Sequence, residues 1–438
     1  MRARPAVIAL VLAFACSACW NQFRGDAAHS GNQPLESTIN VGNIGTLHEL
    51  WHTTFRVAPN SSPVVSNGVV YLGVGSSIRA FDASGAGCAH TSSPCSSRWT
   101  GAVGGAIDTT PAVVGGVVYV TSRNGRLSAF DAAGVTRCSG TPTTCQALWT
   151  ATIAPTGEAV SSPVVSGGVV YVAAYSPEGM FAFDAAGSTN CGGSPRVCAP
   201  LWTGSLLGPG LTTPVVADGK VAVSSPLGNT FVFDAAGNTN CSGIPKVCQP
   251  TSVALTSGTA PVSPAIVNGV MYVGAANGKL YAFDARGVTN CSGTGLRQCN
   301  PLWTASTGSA IDTSPAIANG VVYLGAGSVD LRMFAYDAAG VKNCSGVPKT
   351  CSPLWRSSLG VKARTSPVVA NGVVYVGSRG ANLRAYDAAG IANCSGTPKN
   401  CLALWYTTNA SAFDLSPAIV GGTVYNVSAS SLTAYVVR

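Results

Sequence analysis

Fourteen of the 16 cysteines in this 438-residue chain form seven closely spaced pairs, a pattern that suits metal binding, thiol exchange or covalent cross-linking. The pairs are Cys88/Cys95, Cys138/Cys145, Cys191/Cys198, Cys241/Cys248, Cys291/Cys299, Cys344/Cys351 and Cys394/Cys401. A metal site would draw on histidines or further thiolates nearby, and of the four histidines only His90 lies in a cysteine loop. The pattern therefore predicts seven disulfides and no metal site, provided that the chain reaches an oxidising compartment.

The N-terminus predicts export to such a compartment. Residues 1–18 carry two arginines, an apolar run and then small residues, which is typical of a bacterial-type export signal and too short to span a membrane. Residues 16–19 (CSAC) resemble a lipoprotein processing site, and ordinary cleavage after residues 13–15 (AFA) is the alternative. Cleavage before Cys19 leaves no unpaired thiol. We therefore predict lipidation at Cys19 and a location in the cell envelope, in the periplasm or at the cell surface.

Seven aspartates resemble a catalytic array, but all of them occupy one position of an internal repeat, just before Ala-x-Gly. They are Asp82, Asp131, Asp184, Asp234, Asp284, Asp337 and Asp387. An aspartate at such a position accepts hydrogen bonds from the amides that follow it. Identical use in seven repeats predicts a role in turn structure.

A Ser/Thr-Pro anchor recurs about every 50 residues and defines eight repeats. The anchor prolines are Pro63, Pro111, Pro163, Pro214, Pro264, Pro315, Pro367 and Pro417. Each repeat continues with two Val- or Ala-rich runs around an Asn-Gly, Asp-Gly or Gly-Gly pair, which indicates a hairpin because a type I′ turn needs two positive φ angles. A third strand of the LYAFD type, the cysteine loop and a strand that usually begins with Trp follow. The repeats predict an all-β fold, an eight-bladed β-propeller of four-stranded blades.

The Trp-containing strands predict how the ring closes. The strand at Trp51 precedes the first repeat, and no such strand follows the eighth repeat before Arg438. We expect the N-terminal strand to complete the last blade, because this arrangement covers an exposed edge. The predicted organisation is an export signal at residues 1–18, a leader at 19–46 and a single propeller domain at 47–438.

These repeats resemble those of the PQQ-like, or quinoprotein-like, eight-bladed propellers. The likeness rests on the unit SPVV…NG…VVYVGS…LYAFDA with its Trp strand, and on residues 20–31 (WNQFRGDAAHSG), which are similar to the leader of that group. The chain is similar in this respect to the propeller lipoprotein of the outer-membrane β-barrel assembly machinery, a non-catalytic scaffold. In the family the third strand turns directly into the Trp strand, whereas here a cysteine loop intervenes. We expect each disulfide to staple its own loop, with a stabilisation of roughly 2.5 kcal/mol.

The resemblance implies two alternative functions. Quinoprotein alcohol dehydrogenases carry an adjacent Cys-Cys pair over pyrroloquinoline quinone (PQQ), together with calcium and an Asp base. This chain has no adjacent cysteines, and its repeats show no recognisable quinone or calcium set. The sequence therefore favours an exported, non-catalytic binding or scaffold protein without a cofactor. The alternative is a dehydrogenase that uses PQQ with calcium at a divergent site.

Specific function is expected where the repeats differ, in loops that a propeller gathers around its axis on one face. The predicted ligand-binding residues are Asn60, Asp108, Arg123, Asp312, Arg364, Arg379 and Asp414. Carboxylates beside arginines suit a polar or cationic partner group, and no general base with a matched acid is identified. The alternative is that these loops are simply solvated.

Basic residues are expected on the face opposite the predicted ligand-binding loops. The formal net charge is +8, and basic residues recur near the second cysteine of the loops, at Arg196, Lys246, Arg297, Lys349 and Lys399. They predict a basic ring that favours an anionic membrane surface or an envelope polymer, with simple solubility as the alternative. We predict a monomer whose partner is an envelope protein or polymer, and no binding of nucleic acid.

Overall fold

The computed structural model describes residues 19–88, 95–155, 160–206, 212–259, 262–327, 332–359, 363, 365–378, 382–407 and 415–438. Over these residues the chain is an all-β, eight-bladed propeller, as predicted. A single turn of 3-10 helix, Ile44–Thr46, precedes the first long strand. No helix in the described ranges is long and apolar enough to cross a membrane. The predicted export signal, residues 1–18, lies outside them.

Each blade contains four antiparallel strands, ordered from the channel axis to the rim. The first strands are Val64–Ser66, Ala112–Val114, Val164–Ser166, Val215–Ala217, Ala265–Val267, Ala316–Ala318, Val368–Ala370 and Ala418–Val420. The second strands are Val69–Val74, Val117–Ser122, Val169–Ala174, Lys220–Ser224, Val270–Gly274, Val321–Ala326, Val373–Gly377 and Thr423–Val427. The third strands are Ser77–Asp82, Arg126–Asp131, Gly179–Asp184, Asn229–Asp234, Lys279–Asp284, Arg332–Asp337, Leu383–Asp387 and Ser431–Val436. The fourth strands are Trp99–Ala102, Trp149–Thr152, Trp202–Gly204, Ser252–Leu255, Trp303–Ser306, Trp355–Ser358, Trp405–Tyr406 and, for the eighth blade, His48–Thr54.

The two-residue turns and the tryptophans explain this regularity. Asn67 and Gly68 have φ angles of 50° and 71°, as a type I′ turn requires, and they set the pairing of Val64 with Tyr71. Between blades, the buried Trp99 donates from Nε1 to the carbonyl oxygen of Ala132 in the next blade at 3.0 Å. Its ring packs so closely on Gly134 that a Cβ there would lie 2.2 Å from it. The repeated Trp and Gly therefore form one interlocking joint between neighbouring blades.

The ring closes through the N-terminal strand, as predicted. His48–Thr54 pairs antiparallel with Ser431–Val436, with a bulge between Glu49 and Trp51. Trp51 then donates from Nε1 to the carbonyl oxygen of Ala83 in the first blade at 3.2 Å, so the eighth blade joins the first by the usual Trp contact.

The seven aspartates hold turns, as predicted. Asp184 accepts hydrogen bonds from the amides of Ala186, Ser188 and Thr189. Burial raises the pKa of Asp184, but these bonds and the Ser188 hydroxyl outweigh burial and hold the pKa at about 2. The carboxylate therefore stabilises the turn that leads into the cysteine pair.

All seven cysteine pairs are disulfide-bonded and each bond closes its own loop, as predicted, but the pairing of these loops with a neighbouring blade was not predicted. In six loops the bond closes a small hairpin, here called a clasp, whose second strand pairs in parallel with the fourth strand of the preceding blade. The clasp strands are Cys138–Ser139 with Thr144–Cys145, Cys191–Gly192 with Val197–Cys198, Cys241–Ser242 with Val247–Cys248, Cys291–Ser292 with Arg297–Cys299, Cys344–Ser345 with Thr350–Cys351, and Cys394–Ser395 with Lys399–Cys401. Blades one to six are thereby six-stranded.

The clasps carry the residues of the predicted basic ring. Each clasp lies along the rim of the preceding blade, and a basic ring on the face opposite the channel mouth stays a prediction. Four of the basic side chains donate to the carbonyl oxygen of the Asp-Ala-x-Gly glycine in their own loop, at 2.9 to 3.1 Å. These pairs are Arg196 with Gly187, Lys246 with Gly237, Arg297 with Gly287, and Lys399 with Gly390. Their recurrence therefore has a structural reason.

Candidate functional site

The central channel is crossed by residues 20–33, here called the axial segment. The first strand of every blade turns one edge towards the axis, where its backbone groups have no partner inside the blade. In seven blades the amide of the second residue after the anchor proline donates to the axial segment at 2.6 to 2.9 Å. The pairs are Val65–Trp20, Val113–Asn21, Val165–Gln22, Val216–Ala27, Ile266–Ala28, Ile317–Ser30 and Val369–Gly31. In the eighth blade, Gln33 Nε2 donates to the carbonyl oxygen of Ile419 at 3.2 Å.

Two buried basic residues, Arg24 and His29, hold the axial segment in place through hydrogen bonds to the blades. The Arg24 guanidinium donates to the carbonyl oxygens of Pro367 and Pro315 at 2.6 and 3.0 Å, so one side chain ties two blades. Burial lowers the pKa of Arg24 to about 9, although Asp26 opposes the shift, and the group stays charged at neutral pH. His29 is fully buried with Nδ1 3.0 Å from the carbonyl oxygen of Pro264, and burial lowers its pKa to about 3. His29 is therefore neutral and donates from Nδ1.

The tight path of the segment depends on two glycines. Gly25 has a φ of 90°, and a Cβ there would lie 2.9 Å from the Trp20 ring. Gly31 has a φ of 63°, and a Cβ there would lie 2.2 Å from an Arg24 nitrogen. The Arg-Gly-Asp tripeptide at residues 24–26 is thus part of this packed segment, and its buried arginine is not available for adhesion.

A cavity of about 300 Å³ remains at one end of the channel, here called the mouth. Phe23 of the axial segment lies at its base, and Asn60, Asp108 and Val160, each three residues before an anchor proline, line its wall. A second hollow of about 230 Å³ beside it shares Asn60 and Leu415. Three of the eight positions that the sequence singled out for variation therefore line this cavity.

Much of the remaining wall is made of hydroxyl-bearing residues that directly precede six of the eight anchor prolines. Ser62, Thr110, Ser162, Thr213, Ser366 and Ser416 line the cavity. Residues at this position also link adjacent blades, because the amide of one donates to the hydroxyl oxygen of the next. The donor and acceptor pairs are Thr110 and Ser162, Ser314 and Ser366, Ser366 and Ser416, and Ser416 and Ser62. Sequence reasoning treated these residues only as repeat markers. Their constant Ser/Thr identity beside variable neighbours was the signal of a hydroxyl ring.

Two of the predicted site residues form an ion pair at the mouth. Arg123 Nε donates to Asp108 Oδ2 at 2.6 Å, so the two predicted rings of loops meet in the second blade. The hydrogen bond and charge of Asp108 raise the pKa of the exposed Arg123. Asp312 is half-buried and is not among the residues that line the cavity. Arg364, Arg379 and Asp414 lie outside the described residues.

The described wall of the mouth consists mainly of hydrogen-bonding side chains, with Phe23, Val160 and Leu415 among them. Its described wall contains one carboxylate, Asp108, which Arg123 already engages, and none of the chain's histidines. His29 lies in the axial segment, whereas His48 and His52 lie on the outer strand of the eighth blade. The described residues include no group of three His, Cys, Asp or Glu side chains that could hold a metal ion. The described donors do not fit PQQ with calcium, since the sequence has no adjacent cysteines and the single carboxylate of the described wall is already paired with Arg123.

Comparisons with known proteins agree with this fold. Residues 48–137 match the family described as outer membrane protein assembly factor BamB. BamB from Moraxella catarrhalis is 14% identical, with a TM-score of 0.61 over 90% of this chain and 98% of that chain. The quinohemoprotein alcohol dehydrogenase ADHIIG from Pseudomonas putida HK5 is 13% identical, with a TM-score of 0.65 over 96% of this chain and 80% of that chain. The computationally designed protein Ika8 is 13% identical, with a TM-score of 0.63 over 89% and 99% of the two chains.

A comparison with curated protein sequences finds no match to this chain. At such low identity the solved structures establish the fold alone, and they include an assembly factor as well as dehydrogenases. The family match, the repeat unit and the eight sheets agree with one another. The chain is thus an eight-bladed β-propeller of PQQ-like repeats, and its likeness to BamB and to the quinoprotein dehydrogenases is one of architecture.

Proposed function

We propose that this protein is an exported binding or scaffold protein of the cell envelope, whose channel mouth recognises a partner without chemical turnover. The observation that carries the proposal is the axial segment, which engages all eight first strands and, among the described residues, leaves a cavity of about 300 Å³ lined largely by polar side chains at the mouth. A buried reaction centre needs a sequestered space with activated groups. The mouth instead presents hydroxyls at an open surface, which is the chemistry of hydrogen-bonded recognition.

The chemistry of the mouth favours a polar segment of an envelope protein as the partner. The hydroxyl ring both donates and accepts hydrogen bonds, so it suits peptide groups or hydroxyl-bearing side chains. The exposed Asp108–Arg123 pair can exchange its mutual contact for contacts with a charged group of the partner at little cost, because surface ion pairs contribute little to stability. We propose that Arg364, Arg379, Asp312 and Asp414 add contacts around the same rim.

The proposed location rests on the N-terminus. We propose cleavage of residues 1–18 and lipidation of Cys19, which directly precedes the axial segment. In the full-length chain Cys19 is disulfide-bonded and its Sγ lies 3.4 Å from Ser66 Oγ. Lipidation therefore requires a free Cys19 thiol, so it must precede this disulfide or replace it. An anionic membrane surface is a weaker candidate partner, because four basic clasp side chains are bonded to their own loops.

Site-directed photo-crosslinking tests recognition at the mouth. A photoreactive phenylalanine analogue is placed at Asn60 in the exported protein, with the same analogue at the exposed Val135, away from the cavity lining, as the matched control. We expect one crosslinked product of defined mass from position 60, and its loss when Asp108 and Arg123 are both changed to alanine. Equal products from both positions, or none from position 60, would reject recognition at the mouth.

Reconstitution tests the dehydrogenase alternative. Purified, oxidised protein is incubated with PQQ and calcium, desalted, and assayed for a bound chromophore and for dye reduction with alcohols and sugars. We expect neither, because the donors at the mouth do not match the quinone and the ion. A stoichiometric chromophore with alcohol-dependent dye reduction would overturn the non-catalytic reading.

A further inference from the structure

Among the described residues, the rim of the seventh blade lacks the cysteine-loop contact that the rims of the other blades show. In blades one to six a clasp from the next blade pairs with the fourth strand. In the eighth blade, the amide of Cys95, from the disulfide-bonded pair Cys88/Cys95 of the first blade, donates to Thr53 Oγ1 at 2.9 Å. The seventh blade is a sheet of five strands in which the fifth is the axial strand Asn32–Gln33, and its outer edge, Trp405–Tyr406, has no clasp among the described residues.

The rims of the other blades, which are covered by clasps, indicate which kind of strand can pair with the edge Trp405–Tyr406. In four blades the residue after the first residue of the fourth strand donates its amide hydrogen to a clasp carbonyl oxygen at 3.0 Å: Thr100 to Thr143, Thr150 to Arg196, Thr203 to Lys246, and Thr304 to Lys349. The second cysteine of each of the six clasps is buried beside the preceding blade's core, at 5% exposed or less. An occupant of such an edge is therefore a short parallel strand with a small apolar side chain that points inwards.

The fourth strand of the seventh blade has the same features that contact a clasp in the other blades. Tyr406 occupies the amide-donating position and is 56% exposed. Trp405 is only partly buried, whereas the other six tryptophans of the fourth strands are at most 3% exposed. A cavity of about 240 Å³ adjoins the strand, lined by Leu47, His48, Glu49, Trp405, Tyr406 and Tyr435 among others. Trp405 forms one wall with Tyr435, whose ring centroid is 5.7 Å away.

We propose that the outer edge of the seventh blade binds an extended segment of a second protein, which pairs in parallel with Trp405–Tyr406. The segment offers a backbone carbonyl oxygen to the Tyr406 amide and a small apolar side chain to Trp405. This mode of binding by strand addition uses the backbone for affinity and one pocket for selectivity. It is independent of the mouth, because the two surfaces share no residue.

A second copy of this chain does not fit the edge as well as a foreign strand does. Each described clasp already covers a neighbouring blade of its own ring, so another copy has no free clasp to supply. Its own bare edge would bring a second exposed tyrosine, Tyr406, to the place where the covered rims accept a buried cysteine. The exposed Glu49–His52 pair beside the cavity adds polar contacts that suit a partner entering from solvent.

Amide exchange with a defined probe tests the proposal. The probe is an oxidised synthetic peptide with the sequence of residues 343–352 (NCSGVPKTCS), which is the clasp that covers the fifth blade. At millimolar peptide we expect the hydrogen-exchange rate of the Tyr406 amide to fall by about tenfold or more relative to protein without peptide, because the amide gains a hydrogen bond. The Thr304 amide, already bonded to Lys349, is the internal control and should not change.

Two variants make the test decisive. In Tyr406→Pro the donor is absent, and binding of the peptide should be lost while the melting temperature stays close to wild type. In a completed variant, residues 436–438 are replaced by a copy of residues 387–402, which should cover the edge from within the chain, protect Tyr406 and block the peptide. If Tyr406 is already protected in free, monomeric protein, or if its protection follows protein concentration, the edge has another occupant and the proposal is wrong. Peptide binding that survives in the completed variant would also overturn it.

Discussion

The amide of Thr304 in the fifth blade donates a hydrogen bond to the carbonyl oxygen of Lys349, which lies between two bonded cysteines of the sixth blade, at 3.0 Å. The disulfide Cys344–Cys351 therefore organises a strand that belongs in space to its neighbour. The disulfide therefore stabilises two blades, the fifth and the sixth, whereas a cross-link that acts within one loop stabilises only that loop. This relationship gives the first prediction.

Replacing Cys344 and Cys351 by serine should loosen the fifth blade. The change removes roughly 2.5 kcal/mol of loop-closure stabilisation. It also removes the buried Cys351 sulfur from the core beside Trp303. Hydrogen exchange should accelerate at Thr304, whereas Thr100, which bonds to the intact clasp of the second blade, should keep its protection. Acceleration confined to residues 344–351 would show that the clasp does not couple the blades.

Gly31→Ala should destabilise the axial segment. Its positive φ and the approach of a Cβ to Arg24 both disfavour alanine, and displacing Arg24 would leave the carbonyl oxygens of Pro315 and Pro367 without their donor. We expect the free energy of unfolding to fall by about 2 kcal/mol or more. Gly45→Ala is the matched control, since a Cβ there meets nothing within 4 Å. Equal melting temperatures for the two variants would contradict this account.

Acid should weaken the axial segment through His29. The folded pKa of His29, about 3, lies below its ordinary value of 6.5, so the unfolded chain binds the proton more readily. Stability linked to His29 is therefore complete above pH 6.5 and is lost as the pH falls from 6.5 towards 3, by an amount on the order of a few kcal/mol. The measurement is chemical unfolding over this range for wild type and His29→Gln. The variant should show a flatter dependence on pH, and parallel curves would exclude His29 as the cause.

Sequence reasoning recovered the repeated parts of this molecule and missed the parts that are unique or that act between blades. The anchor prolines, the Asn-Gly turns and Trp51 predicted eight blades and their closure, because each signal is local and recurs. The destination of the clasps was missed, since the spacing of Cys138 and Cys145 determines which residues are joined and carries no information about which sheet edge the hairpin meets. A count of exposed strand edges carries part of this information, because eight outer strands face seven cysteine loops.

The axial segment was predicted only as a leader before the first blade. It occurs once, so no periodicity reveals it, and its contacts are to backbone groups that any sequence presents. Its physical signal was indirect: eight first strands each direct an edge at the axis, and buried amides must find acceptors. Gly25 and Gly31, flanking a buried Arg24, were the residues that indicated a tight path.

Removing residues up to 55 should expose the edge of the last blade. The truncated chain loses His48–Thr54, so Ser431–Val436 becomes an open edge strand, and it loses the axial segment as well. Open edges of this length promote aggregation. Size-exclusion chromatography should show aggregates for this truncation and a monomer for protein that lacks only residues 1–18. A soluble, monomeric truncation with an unchanged melting temperature would contradict closure by this strand.

Substitutions at the mouth should separate recognition from stability. Asn60→Ala with Asp108→Ala removes two polar side chains from the cavity wall and breaks an ion pair whose arginine is 66% exposed. Surface changes of this kind alter the free energy of unfolding by about 0.5 kcal/mol or less each, so the melting temperature should stay nearly constant. The double variant should nevertheless lose the product crosslinked from a photoreactive residue at Val160, which lines the same wall. A variant in which Lys246 and Lys399 are changed to methionine, away from the mouth, should retain that product. If the product instead disappears with the lysine variant and persists with the mouth variant, the partner binds at the clasped rim and not at the hydroxyl ring.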